Sequence, residues 1–262
     1  MCLERGFAKE TFFNSYNMEL PKISIVTATF NCAAEIEKTI QSVLHQSYAN
    51  IEYIVIDGAS TDGTVDVIKK YADKISFWVS EPDKGLYYAM NKGIEAATGD
   101  WVYIFNAGDV FDHDSVLTEI FSNDLTGVDA VYGYIYSTAK GVYLKYPVPF
   151  YEKEDLRHRN LGFSHQGVFV RTEWAKKLLF DTSRYRCCAD YNMMVQMYKR
   201  GAKFQYIDVA VCRNAPAGFS EANRLLQYKE QAIINGVYGS PWYLWHLLTQ
   251  SLKRWLHRHS IR

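Results

Sequence analysis

Three stretches of the chain are apolar runs that stop on polar residues. Residues 22–29 (KISIVTAT), 51–57 (IEYIVID) and 101–109 (WVYIFNAGD) carry β-branched or other hydrophobic side chains and end in small or polar ones. A parallel strand buried on both faces delivers side chains to the rim of an open sheet in this way, and such sheets bind ligands at that rim. Asp109, an isolated carboxylate behind a glycine, therefore reads as a site residue. Helical patterns lie between the strands. Ile36, Ile40, Val43 and Leu44 share one face, Val65, Ile68 and Tyr71 another after the Thr61, Asp62 capping pair, and Met90, Ile94 and Ala97 a third within residues 87–97. Gly99 stands just past the third helix, where a helix stop tolerates positive φ. Alternation of strand and helix predicts right-handed crossovers, an α/β fold and a mostly parallel sheet.

Five strings occur in a fixed order: TATFN (residues 27–31), DGASTDGT (57–64), DKG followed by AMNKG (83–93), NAGD (106–109) and ADYN (189–192). The set resembles the motifs of family 2 glycosyltransferases and spans roughly residues 21–220, most of the chain. Each string alone is weak evidence; the order carries the resemblance. It implies a GT-A (Rossmann-like) fold with helices flanking the sheet, a nucleotide-diphosphate sugar donor and a divalent metal, Mn2+ or Mg2+. It also implies transfer with inversion to a hydroxyl of a glycan or lipid-linked saccharide, as in bacterial surface polysaccharide assembly. Uridine is the expected base by family frequency.

The resemblance assigns roles residue by residue. Asp109 matches the metal ligand, because charge growing on a departing diphosphate calls for a cation, and hard cations take few protein oxygens when phosphates and waters complete their shell. Relatives often have two acids here. Gly108 stands at the first of those positions, and Asn106 suits the ribose or a metal-bound water. Thr27, Ala28, Thr29 and Asn31 at the first strand end, with Asp57 and Ser60 at the second, form the expected nucleoside side. Gly58 stands where relatives often carry a second acid, and Ser60, Thr61 and Asp62 equally suit an N-cap for the next helix. Asp83, Lys84 and Asn91 complete the donor set, although Asp83 and Lys84 also fit a surface turn after Pro82. Met90, where relatives often have arginine, reads as core, with Lys84 the substitute phosphate contact. Asp190 matches the catalytic base, which must reach the acceptor hydroxyl opposite the leaving diphosphate. Met193, Met194, Met197 and Tyr198 put it at a helix start, where capping is a compatible use. His165 and Gln166 in GFSHQGVFV read as acceptor-side residues, the histidine being either structural or within reach of the pyrophosphate or metal. Residues 216–224 (PAGFSEANR) read as a lid bearing Ser220 and Arg224, or as a plain linker.

Composition adds limits. The 262 residues, 48% hydrophobic and 15% aromatic, suffice for one large α/β domain. The expected organisation is an extension over residues 1–17 ahead of a start at Met18, a catalytic domain over 18–220 and a helical tail over 221–262. Twenty-nine basic and 29 acidic residues cancel, so no global field favours nucleic acid. Five cysteines without C-x-x-C spacing, and an N-terminus that suits neither signal peptide nor membrane span, point to a cytoplasmic enzyme. After residue 241 the chain carries Lys253, Arg254, Arg258 and Arg262 with no acid, while Leu244, Leu248, Leu252, Trp255 and Leu256 line one helical face. That pattern suits a helix lying on the anionic inner face of the plasma membrane, or one packed on the domain or on a second copy. Two other functions compete with the transferase. A sugar nucleotidylyltransferase would need a Gly- and Arg-rich phosphate loop that TATFN lacks, and a catalytically silent binding protein is suggested by the lost acid at Gly108. No G-x-G-x-x-G opens the first helix, which argues against a dinucleotide-binding enzyme.

Overall fold

The computed structural model describes residues 20–145, 164–215, 223–241, 243–245 and 247–249. The elements run β1 (Ile23–Thr29), α1 (Ile36–Leu44), β2 (Ile51–Asp57), α2 (Thr64–Lys70), β3 (Phe77–Ser80), α3 (Leu86–Ala96), β4 (Trp101–Ile104), β5 (Val110–Phe111) and α4 (Val116–Phe121). They continue through β6 (Ala130–Ser137), β7 (Val142–Leu144), a 3-10 turn (His165–Gly167), β8 (Val168–Arg171), α5 (Thr172–Leu178), α6 (Ala189–Lys199), β9 (Phe204–Asn214) and α7 (Arg224–Ile234).

Among the described residues nine strands form one sheet in the order β3-β2-β1-β4-β8-β6-β9-β5, with β7 paired to β6. The first four strands are parallel, as the alternating strand and helix pattern requires. β8 enters antiparallel to both β4 and β6, so the second half of the sheet is mixed. β1 lies between β2 and β4, which brings the three polar strand ends foreseen from sequence side by side. Thr29, Asp57 and Ser80 are in register across β1, β2 and β3.

Side chains alternate across the sheet with the period of two that a strand imposes. Ile23 and Ile25 of β1 join one core with Ile36 and Ile40 of α1, Ile68 of α2 and Leu117 of α4, whereas Val26 and Ala28 join the other with Met90 and Ile94 of α3 and Met193 and Met197 of α6. Met90 is a core residue, 2% exposed. α7, expected from the sequence to belong to the tail, adds Ile234 and Leu226 to this second core. An aromatic block in the first core, in which the Tyr103 and Phe169 rings stack at 4.3 Å, joins β4 to β8.

Gly99 corrects one expectation. Its φ is not positive; instead a Cβ there would lie 2.5 Å from the Lys22 carbonyl oxygen, so close backbone approach is what demands glycine. The four described cysteines are free thiols. No helix among the described residues is long and apolar enough to cross a membrane. Near the C-terminus Tyr243 and Leu247 pack on Ala232 and Val237, leaving Leu244, Trp245 and Leu248 exposed.

Candidate active site

Asp109 sits where the β4 run turns toward β5, and its backbone is pinned to α1: the Thr39 hydroxyl donates to the Asp109 carbonyl and accepts from the Gly108 amide, each at 2.8 Å. The carboxylate is 2% exposed. Its Oδ1 accepts the Ala215 amide at 2.7 Å, and its Oδ2 accepts Gln166 Nε2 at 2.9 Å and Asn106 Nδ2 at 3.5 Å. Burial pushes its pKa above the ordinary carboxylate value, although these donors and the nearby His165 favour the charge. Gly108 holds φ at +97°, and a Cβ there would lie 3.0 Å from that of Ala215. A side chain there would therefore strain the backbone and crowd Ala215, just past β9.

Asp190 lies in the first turn of α6, whose N-cap residue, Cys188, makes no side-chain cap. Its Oδ2 is 2.6 Å from His165 Nδ1, and its Oδ1 is 2.8 Å from the Tyr87 hydroxyl, which also approaches the Cys187 carbonyl at 3.0 Å. Burial opposes ionisation of Asp190, but the His165 charge and the His165, Tyr87 and Tyr191 hydrogen bonds outweigh it and hold its pKa below the ordinary value. Conversely, burial disfavours the His165 imidazolium, and the Asp190 charge and hydrogen bond, helped by Asp109, outweigh that and raise its pKa. Burial and the Asp190 charge keep Tyr87 protonated, hence a donor.

Adjacent residues thus grip the two acids. His165 holds Asp190 and Gln166 holds Asp109, both from the single 3-10 turn before β8. That turn is fixed in place by the Tyr103 hydroxyl, which donates to the Gln166 carbonyl at 2.6 Å. Residues 81 positions apart in sequence are drawn to one place by two neighbours.

The donor-side residues divide. Asp57, fully buried, accepts from the Ser60 amide and hydroxyl and from the Ser80 hydroxyl. Ser60 in turn receives the Asn31 amide, and Asn31 Oδ1 receives the Thr61 amide, which locks the loops after β1 and β2 together. Asp62 takes the Ala33 and Thr64 amides, in keeping with its reading as a capping residue. The Asp83 carboxylate accepts the Gly85 amide at 2.7 Å, and its Oδ2 lies 2.9 Å from where a Cβ on Gly58 would stand, so it occupies the space a side chain at that position would need. Lys84 is exposed and Ala28 buried. The Thr27 hydroxyl is engaged by Tyr53 inside the core, and both ends of the Asn91 amide bond the Phe180 backbone. These two side chains are occupied within the fold. Arg224 begins α7, and Ser220 lies outside the described residues.

Two buried oxygens at the rim, Thr29 Oγ1 and Asn106 Oδ1, find no hydrogen-bond partner. An unpaired polar atom in a buried position costs stability and marks a place where a ligand can complete the bonding. Among the described residues no group of three or more His, Cys, Asp and Glu side chains is arranged to hold a metal. Asp109 and Asn106 Oδ1 nevertheless form a small, oxygen-only donor set of the kind a hard cation takes when phosphates and waters supply its other ligands. Sequence reasoning missed Tyr87, counted only as part of a helix pattern, along with the Ala215 amide and Thr39.

An open, mostly parallel sheet with flanking helices is the GT-A fold, and comparison with solved structures agrees. The mannosyltransferase PcManGT from Pyrobaculum calidifontis, in complex with GDP-Man and Mn2+, is similar with a TM-score of 0.62 at 23% identity, over 81% of this chain and 62% of that one. Glucosyl-3-phosphoglycerate synthase from Mycobacterium tuberculosis, in complex with Mn2+, UDP and glucosyl-3-phosphoglycerate, is similar with a TM-score of 0.59 at 15% identity, over 84% and 82%. Residues 24–180, more than half of the chain, match the family described as Glycosyl transferase family 2, and the chain belongs to that family. Among its relatives, an uncharacterised glycosyltransferase of Mycobacterium tuberculosis is 31% identical over 163 residues, which is 60% of this chain and 62% of the relative's length. A PGL/p-HBAD biosynthesis glycosyltransferase of Mycobacterium bovis is 28% identical over 200 residues, 74% of this chain and 77% of the relative.

Proposed function

We propose that this protein is a metal-dependent, inverting glycosyltransferase that moves a sugar from a uridine diphosphate donor to a hydroxyl of a glycan or lipid-linked saccharide. The observation that carries the reading is the pair of adjacent residues, His165 and Gln166, that hold Asp190 and Asp109 at one site. Asp109 and Asn106 would hold the cation, which when bound supplies Lewis-acid stabilisation of the departing diphosphate. Thr29 Oγ1 and the locked loops after β1 and β2 form the nucleoside side. Asp190 takes the acceptor proton. A carboxylate has about four lone-pair positions, and the bonds from His165, Tyr87 and Tyr191 leave one for the incoming hydroxyl. Lys84, exposed beside the Asp83 turn, suits a donor phosphate, and Arg224 a lid contact.

The sequence foundation for uridine is family frequency, and the UDP complex of the Mycobacterium tuberculosis neighbour supports it, while the GDP-Man complex of the other names the main competitor. We place the enzyme in the cytoplasm, peripheral to the membrane. Exposure of Leu244, Trp245 and Leu248, at 53%, 63% and 69%, supports a face that enters the headgroup region. Incubation of purified protein with Mn2+ and a panel of nucleotide sugars, read as diphosphate release, tests the reading. Turnover of a uridine diphosphate sugar that stops on chelation is expected. Silence with every donor, the protein being folded and the metal present, refutes it.

A further inference from the structure

We infer that Glu230, on α7, is a positioning residue for Asp190. The inference rests on the reading of Asp190 as the base, and it concerns a part of the chain beyond the family match, which ends at residue 180. A helix leaves its first amides without intrahelical partners, and the N-cap residue of α6, Cys188, makes no side-chain cap. Glu230 reaches across from α7 to the three amides that lead into α6, the last of them that of its N-cap residue Cys188. Its Oε1 accepts the Arg186 amide at 2.9 Å, and its Oε2 accepts the Cys187 and Cys188 amides at 2.9 and 2.8 Å. The residue is 4% exposed, and it is the one described acid on α7.

Three successive amides converging on one carboxylate fix the path by which the chain enters α6, and Asp190 follows two residues after the last of them. Flanking contacts hold the same junction: Cys188 Sγ meets the Gln227 carbonyl at 3.6 Å, and the Tyr191 hydroxyl donates to Asn235 at 2.8 Å. The entry path matters because Asp190 must meet His165 and Tyr87 from α6 while leaving a lone pair toward the acceptor. The other acid is likewise held by a backbone amide, that of Ala215 at 2.7 Å. Glu230 supplies the corresponding contact on the base side.

The test uses the full chain with the donor and acceptor found by the panel. Glu230→Gln keeps the volume but turns an amide donor toward backbone amides, so the α6 entry must shift. We expect kcat to fall roughly 10- to 100-fold, since small misplacements of a reacting group cost that much, while donor KM and nucleotide affinity stay within about twofold. In an Asp190→Asn background the same change should lower the residual rate no further, a result that a purely structural role would not give. Glu230→Asp, which keeps the charge, should recover part of kcat, and it gives the same reading should Glu230→Gln fail to fold. Glu52→Gln, at the opposite end of β1 and β2, controls for lost stability and should leave kcat unchanged. Unchanged kcat in both Glu230 variants, or a loss shared equally by nucleotide affinity, or a full further loss in the Asp190→Asn background, overturns the inference. If Asp190→Asn itself transfers normally, the reading of the base fails instead, and the two failures are told apart.

Discussion

Replacing His165 with alanine removes the imidazole from Asp190 and leaves that carboxylate with Tyr87 and the Tyr191 amide. The side chains are 32% and 14% exposed, so the pair is partly screened. A hydrogen bond to a charged group contributes roughly 1.5–3 kcal/mol, and we take about 2 kcal/mol for this one. For a chain of this size that is about 4–8 °C in Tm. The loss depends on pH in a fixed sense. The His165 pKa is raised in the fold above 6.5, so its contribution is complete below 6.5 and disappears as pH rises through the folded value. The Asp190 pKa is lowered below 3.8, so its contribution is present above 3.8 and disappears as pH falls through the folded value. The ion pair therefore stabilises most between 3.8 and 6.5 and fades as pH rises through the folded His165 value. Melts of wild type and His165→Ala should differ most near about pH 5.5 and converge as pH rises through the folded His165 value. A gap that is constant, or that widens with rising pH, would refute the assignment of His165 as a cationic partner.

Further outcomes follow from other parts of the structure. Glu52 is buried, which alone would raise its pKa, yet bonds from Ser24, Thr98 and Lys22 hold it at about 2 against an ordinary 4.5. It should contribute roughly 3 kcal/mol above pH 4.5, lost as pH falls from 4.5 toward 2, so Glu52→Gln should lower Tm at neutral pH and flatten the acid limb of stability. Gly108→Ala should destabilise by about 1–2 kcal/mol, because the backbone there is left-handed and Ala215 is close; an unchanged Tm would contradict that geometry. Replacing Leu244 and Leu248 together with serine should abolish cosedimentation with anionic vesicles while leaving soluble turnover intact; retained binding would leave the exposed face without this role.

Sequence patterning revealed the parallel half of the sheet because a β-branched run that stops on polar residues matches a strand buried on both faces and little else, and β1, β2 and β4 fall where the apolar runs stop. Asp109 and Asp190 were legible as acids by motif order. Their connection was not, since His165 and Gln166 are adjacent letters whose opposite reach depends on the 3-10 turn. Tyr87 was hidden because a tyrosine at a helix start looks like another apolar face residue. The Ala215 amide was invisible because a backbone group carries no letter. Thr27 and Asn91 carry polar side chains within motif-bearing stretches, but one faces Tyr53 in the core and the other clamps Phe180. Motif membership did not reveal which way a side chain points.

The claim that two distant carboxylates serve one reaction is tested most directly by measuring Mn2+-dependent nucleotide binding and sugar transfer together in Asp109→Asn and Asp190→Asn. Asp190→Asn should bind the nucleotide with Mn2+ as wild type does and lose transfer by about 100-fold or more, whereas Asp109→Asn should lose both. Wild-type transfer by Asp190→Asn, or undiminished Mn2+-dependent binding by Asp109→Asn, would contradict it.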